Sequence, residues 1–305
     1  MKKVIRLVFW GIMVISCSQK HSQDLEWIPF VWESGDDWGK YIEKMAIYVP
    51  VTIDELPYKF TMQLDLGTYT TVFNKNTFKP FLEKYASLNN KVDRGIWIKN
   101  VNLQLGKVSF SGIDVGLYPQ GTELSLDSIN AAPEIEIGVV GADLFQDKVV
   151  IIDYKSNKLT ITDSIPPEYQ NVSFETFEAY DGLIKLPFQI NENTAYLLFD
   201  TGASYFSLAT TKQNALAIGG TQIIDSLRVN TWGDRWISFY GLETVAPVAF
   251  GEKKMGKSIV YYTESDGFDE LYSSLNIWGL TGNGFFLNDM VVIDYKHNRF
   301  GIIRN

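Results

Sequence analysis

Much of this chain is written twice, and any fold it adopts has to accommodate the repeat. Gly138-Val139-Val140-Gly141-Ala142-Asp143-Leu144-Phe145 is matched by Gly279-Leu280-Thr281-Gly282-Asn283-Gly284-Phe285-Phe286. Val150-Ile151-Ile152-Asp153-Tyr154-Lys155-Ser156-Asn157-Lys158 is matched by Val291-Val292-Ile293-Asp294-Tyr295-Lys296-His297-Asn298-Arg299. Both blocks are offset by 141 positions (282 − 141 = 141; 294 − 153 = 141). Upstream, Ile47 to Asp54 parallels Ile184 to Asn191, with Pro50 and Pro187 in the same place. Asn102 to Lys107 likewise parallels Pro247 to Glu252. Each copy also contains an apolar run closing on Asp-x-Gly: Phe60 to Gly67, and Tyr196 to Gly202. There the offset is 200 − 65 = 135, so the copies differ by small insertions, as duplicated domains do.

The repeated segments alternate apolar and polar residues, or run apolar for five or six positions, and both patterns read as strand. Helical signals are brief, at Thr77 to Lys84 and Asp269 to Ser274. The expected class is mainly β, with two similar lobes related by a pseudo-two-fold. Residues 164–174, which open Ser164-Ile165-Pro166-Pro167, read as the linker, leaving lobes at 41–163 and 175–305. Residues 17–40 read as a tether, with Trp27, Trp32 and Trp38 available to pin it to the body. Residues 1–16 begin with Lys2, Lys3 and Arg6, followed by a short apolar run, the form of a secretory signal peptide. A small residue, Ser16, precedes Cys17, as in the cleavage box of bacterial lipoproteins. That likeness implies lipid on the Cys17 sulfur and a place in the cell envelope, on the periplasmic or surface face of a membrane.

Composition narrows the chemistry. The 305 residues carry a net charge of −9, the wrong sign for a general nucleic-acid binder. One Cys and two His leave little material for a His/Cys zinc site or a Cys–His nucleophilic pair, so no metal is expected. No P-loop, dinucleotide fingerprint or nucleophile elbow is present, and no cofactor is expected. Carboxylates remain as the reactive groups. An apolar strand ending in Asp lifts a carboxylate out of a core at a sharp turn, and Gly two positions later lets another chain segment come close. If the two copies face each other, Asp65 and Asp200 meet. Two carboxylates that close share one proton, so one can take a proton from water while the other donates to a carbonyl.

With these residues in view, the chain resembles the aspartic protease clan: lobes similar to bacterial retropepsin-type domains, in tandem as in pepsins. Asp200-Thr201-Gly202-Ala203-Ser204 matches the family's catalytic loop in full, and Val139-Val140-Gly141 and Leu280-Thr281-Gly282 resemble the apolar-apolar-Gly element that threads behind it. The resemblance implies an Asp65–Asp200 dyad supported by Gly67, Thr201, Gly202 and Ser204, with Gly141 and Gly282 in the lobe cores. It implies a peptide or protein substrate in a cleft between the lobes. Flap hairpins are expected near Arg94 to Val101 and Val229 to Phe239, with Trp97 and Trp232 as candidate cleft aromatics. One chain then holds both aspartates and serves as a monomer. The departure is Leu66, where the family has Thr or Ser whose hydroxyl bonds across to the partner loop. The function expected is an aspartic-type peptidase. The alternative is a catalytically impaired protease-fold lipoprotein that binds a peptide or protein, which Leu66 would favour if it splayed the loops. A purely structural envelope lipoprotein is a third reading.

Overall fold

The computed structural model describes residues 25–37, 39–54, 56–231 and 235–304. Residues 1–16, read from sequence as a signal peptide, and Cys17, Trp38 and Trp232 lie outside the described residues. The described residues are mainly β, in three sheets, in keeping with the alternation in the sequence.

The two most uniformly apolar runs of the repeat form the centre of a six-stranded sheet. Strand Val149–Asp153 lies antiparallel to Asp289–Asp294, with Val150 opposite Ile293, Ile151 opposite Val292 and Ile152 opposite Val291. Their side chains leave both faces in turn. Val150, Ile152, Val291 and Ile293 enter the main core, while Val149, Ile151, Met290 and Val292 form a separate cluster. Burial on both faces explains why these strands read as unbroken apolar runs rather than as an alternation. Each turns back through a hairpin whose Asp caps the turn: Asp153 accepts from the Ser156 amide at 3.0 Å and Asp294 from the His297 amide at 3.1 Å.

The first Asp-x-Gly belongs to an eight-stranded sheet and the second to a ten-stranded one. In the first, strand Phe60–Leu64 runs parallel to Ile135–Val140, which is antiparallel to Val72–Asn74, itself parallel to Val108–Tyr118. In the second, Asn193–Phe199 runs parallel to Gly279–Thr281, which is antiparallel to Ala209–Thr210, itself parallel to Ile259–Thr263. The helices Lys75–Lys84 and Asp266–Ser274 overlap the two expected from sequence.

Two expectations change. Residues 28–37, read as tether, are strand: Ile28–Pro29 pairs with Lys158 and Leu159, and Val31–Asp37 pairs with Lys40–Ile53. Their composition looks loop-like because Val31–Asp37 is the outermost strand of its sheet and shows much of its surface to solvent. The hairpins expected as flaps are unequal. At the first, Val92–Asp93 turns back on Trp97 and Ile98 for two residues, and strand Trp97–Leu105 then pairs on its other side with Val108–Tyr118; the second is a long ladder of Gly219–Thr231 with Arg235–Thr244. Trp97 is half-buried, with the Lys99 ammonium 5.3 Å from its ring centre.

Candidate active site

Each Asp-x-Gly loop leaves its strand in the same way. The Asp65 amide donates to the Val140 carbonyl at 3.0 Å, and the Asp200 amide to the Thr281 carbonyl at 3.0 Å. Each chain then turns tightly, with Thr68 N bonded to Asp65 O at 3.3 Å and Ala203 N to Asp200 O at 3.2 Å. The turn directs amides at its own carboxylate: Gly67 N donates to Asp65 Oδ1 at 2.9 Å, and Ala203 N to Asp200 Oδ1 at 3.0 Å.

The loops meet face to face. A methyl group built on Gly202 would lie 2.6 Å from the Asp65 carboxyl carbon, and one on Gly67 would overlap the Asp200 carboxyl group. Each glycine is therefore the seat of the opposite carboxylate, and any side chain there would separate the pair. The two carboxyl groups lie close enough for each to shift the other's titration. Burial pushes the Asp65 carboxyl well above the usual carboxylate range, the Asp200 charge pushes it further, and the Gly67 amide opposes both. Burial also raises Asp200, while the Ala203 amide and the bond from Asp65 pull it back. Both carboxyls are raised, so the two share a proton and titrate as a pair.

Thr201, without solvent exposure, links the loops. Its Oγ1 donates to the Leu64 carbonyl at 2.7 Å and accepts from the Leu66 amide at 2.8 Å. Leu66 has no hydroxyl to return this bond. Its side chain is instead fully buried in the main core, so it packs and does not wedge the loops apart. Gly141 and Gly282 stand behind the two loops: a methyl on Gly141 would lie 2.7 Å from the Thr70 carbonyl carbon, and one on Gly282 would overlap the Ala203 carbonyl. Ser204 Oγ donates to the Thr201 carbonyl at 2.7 Å, closing the second loop.

Sequence reasoning missed the residue that supports this second loop. Asn283, buried, donates to the Thr201 carbonyl at 3.0 Å and to Ser204 Oγ at 2.6 Å, and its Oδ1 accepts from Tyr154 OH at 2.7 Å. The signal was present as a break in the repeat, since Asn283 stands where the other copy has Ala142. The first loop is held differently, by Asp143, which accepts from Thr71 N at 2.9 Å and Thr71 Oγ1 at 2.6 Å. Among the described residues no group of three His, Cys, Asp or Glu side chains is placed to hold a metal ion. No protein-family model matches the chain, and no curated protein matches it.

Proposed function

We propose that the chain is an aspartic-type peptidase with two acid-protease-like lobes, hydrolysing peptide bonds through Asp65, Asp200 and a water molecule. One observation carries the reading: each aspartate rests on the glycine of the opposite Asp-x-Gly loop, with Asp65 raised by burial and by its partner. The pseudo-two-fold is supported by register. In the central sheet Ile151 faces Val292, its own equivalent at an offset of 141, as a two-fold between the copies would require. The matching order of parallel and antiparallel pairings around the two Asp loops supports it further.

The chemistry follows from the proton inventory. Ionised Asp200 takes a proton from water as the water oxygen attacks the scissile carbonyl carbon. Neutral Asp65 passes its proton to the carbonyl oxygen, giving a neutral tetrahedral diol. Collapse returns a hydroxyl proton to Asp65, and Asp200 passes its proton to the amide nitrogen as the C–N bond breaks. The pair is restored to one proton. The substrate is a peptide or an extended protein segment between the lobes, under the hairpin of Gly219–Thr231 and Arg235–Thr244. The leader-like residues 1–16 and Cys17 support a lipid-anchored place in the bacterial envelope.

The test is digestion of a peptide library by the full chain across acid and neutral pH, with and without a hydroxyl-bearing transition-state isostere. Cleavage blocked by the isostere and lost in both Asp65→Asn and Asp200→Asn is expected. Cleavage that survives Asp200→Asn excludes this mechanism.

A further inference from the structure

The strand pair Val31–Asp37 and Lys40–Ile53 belongs to the first half of the chain, yet its tip is fastened to the second. Lys40 Nζ lies 2.6 and 2.5 Å from the two oxygens of Asp225, which also accepts from Tyr261 OH at 2.5 Å and Tyr205 OH at 3.3 Å. Asp37 Oδ2 accepts from the Arg228 amide at 2.7 Å, with the Arg228 Nε 3.8 Å from Oδ1. Both Asp225 and Arg228 sit on strand Gly219–Thr231 of the long hairpin. Between these polar ties, Ile42 is 3% exposed and enters a cluster with Leu198, Leu280, Leu227, Phe239 and Tyr272. Leu198 is two residues before Asp200, and Leu280 directly precedes Thr281, whose carbonyl anchors the Asp200 amide. A side chain from outside the second half thus fills the apolar space between the long hairpin and the strands that carry Asp200.

The tip joins its base at an irregularity in the ladder. Its ladder breaks between Glu33 and Gly35, opposite residues 43–45, and Lys44 sits there at φ 65°, a conformation non-glycine residues seldom adopt. Val31–Asp37 has only one strand neighbour, so few buried contacts hold it.

We propose that this tip is an internal strap: Ile42 occupies a pocket beside Asp200 that takes an aliphatic side chain of a peptide, and the Lys40 and Asp37 ties keep the pocket closed until the strap is displaced. The occupant defines the ligand class, because a pocket lined by leucines and aromatic rings that seats isoleucine suits a branched apolar side chain and rejects a carboxylate. The inference rests on the peptidase reading for its substrate, and the test separates the two by removing turnover.

Binding of a labelled hexapeptide with central leucine is measured at pH 7 on the full chain carrying Asp200→Asn, with a central-aspartate peptide as control. Adding Lys40→Glu, which sets a carboxylate against Asp225, is expected to tighten the leucine peptide about ten-fold; Lys40→Arg is expected to leave the affinity unchanged. Ile42→Ala, which vacates the pocket without altering charge, should tighten it in the same direction, and circular dichroism checks that each variant is folded. Binding of the leucine peptide should speed amide exchange at residues 39–45. Equal affinity across parent, Lys40→Glu and Ile42→Ala, no binding by any of them, or unchanged exchange at 39–45 overturns the strap. A chain with Asp200 intact that cleaves peptides while these affinities stay equal keeps the peptidase and loses the strap. A chain that never cleaves but binds as expected keeps the strap and loses the peptidase.

Discussion

Tyr154 and Tyr295 occupy the same position in the repeat (295 − 154 = 141), both are buried, and only one hydroxyl has a partner. Tyr154 OH donates to Asn283 Oδ1 at 2.7 Å; Tyr295 OH, among the described residues, has none. The repeat gives the reason. Asn283 corresponds to Ala142, which has no polar side chain to offer Tyr295. Tyr154→Phe therefore removes a bond and strands the buried Asn283 oxygen, a cost of about 1–3 kcal/mol. Tyr295→Phe removes a buried hydroxyl that bonds to nothing, so its effect runs from zero to a gain of about 1 kcal/mol. At roughly 2–4 °C per kcal/mol for a chain of this size, a 2 kcal/mol loss lowers the melting temperature by about 4–8 °C. Melting of the two single variants, with Asn283→Ala alone and combined with Tyr154→Phe, measures the difference. Tyr154→Phe should cost little once Asn283 is gone, because the two act as one unit. Equal losses from Tyr154→Phe and Tyr295→Phe would refute the reasoning, since burial and chemistry are otherwise alike.

The dyad makes stability depend on pH with a definite sign. Asp65 has a folded pKa raised above its unfolded value, so the native state binds that proton more tightly. Stability is then lost as pH climbs from about 3.9 through the raised folded value, by at most about 1.4 kcal/mol per pH unit. Asp65→Asn cannot ionise, so denaturant titrations should find it increasingly more stable than the parent as pH rises through that window and no different below about pH 4; a variant that loses stability at neutral pH contradicts the raised pKa of Asp65. Leu66→Thr exchanges a fully buried isobutyl group, worth roughly 1.5–3 kcal/mol of burial, for a smaller apolar group and a hydroxyl whose bond returns about 0.5–1.5 kcal/mol. A net loss near 1 kcal/mol is expected on chemical denaturation, and a clear gain would show that the missing cross-loop bond outweighs core packing here.

The aspartates were legible in the sequence because their signal is local and repeated: an apolar strand, a carboxylate, a glycine two positions on, twice. The hairpin around Val229 to Phe239 was expected only through the family resemblance, which places one between the catalytic loop and the next strands. What escaped depends on contacts between distant segments. Residues 31–37 are polar because one side of the strand meets solvent, and composition does not separate such an edge strand from a loop. Ile42 carries no mark that sends it into a cluster with Leu198 and Phe239, since that contact joins positions 156 and 197 apart (198 − 42 = 156; 239 − 42 = 197). Asn283 was visible as a departure from the repeat, but its meaning needed Tyr154, which belongs to the other copy.

The places where the copies disagree bear on how two identical side chains divide one task. Thr201 grips both Leu64 and Leu66, while Leu66 gives no hydroxyl back. Asn283 supports the Asp200 loop through its carbonyl and Ser204, while Ala142 leaves the Asp65 loop to Asp143 and Thr71. The hairpin of Gly219–Thr231 and Arg235–Thr244 stands on the Asp200 side, while in the first half Val92–Asp93 adds only a two-residue ladder to the edge of the Trp97–Leu105 and Val108–Tyr118 pair. Both carboxyls are buried, and burial raises both. Desolvation penalises the charged form, so the pair keeps one proton between them. In the proposed enzyme the carboxyls are alike in burial, and it is the unequal supports of their loops that can distinguish acid from base. A symmetric dyad would leave that choice to the substrate; divergence between the two copies supplies the asymmetry to make it.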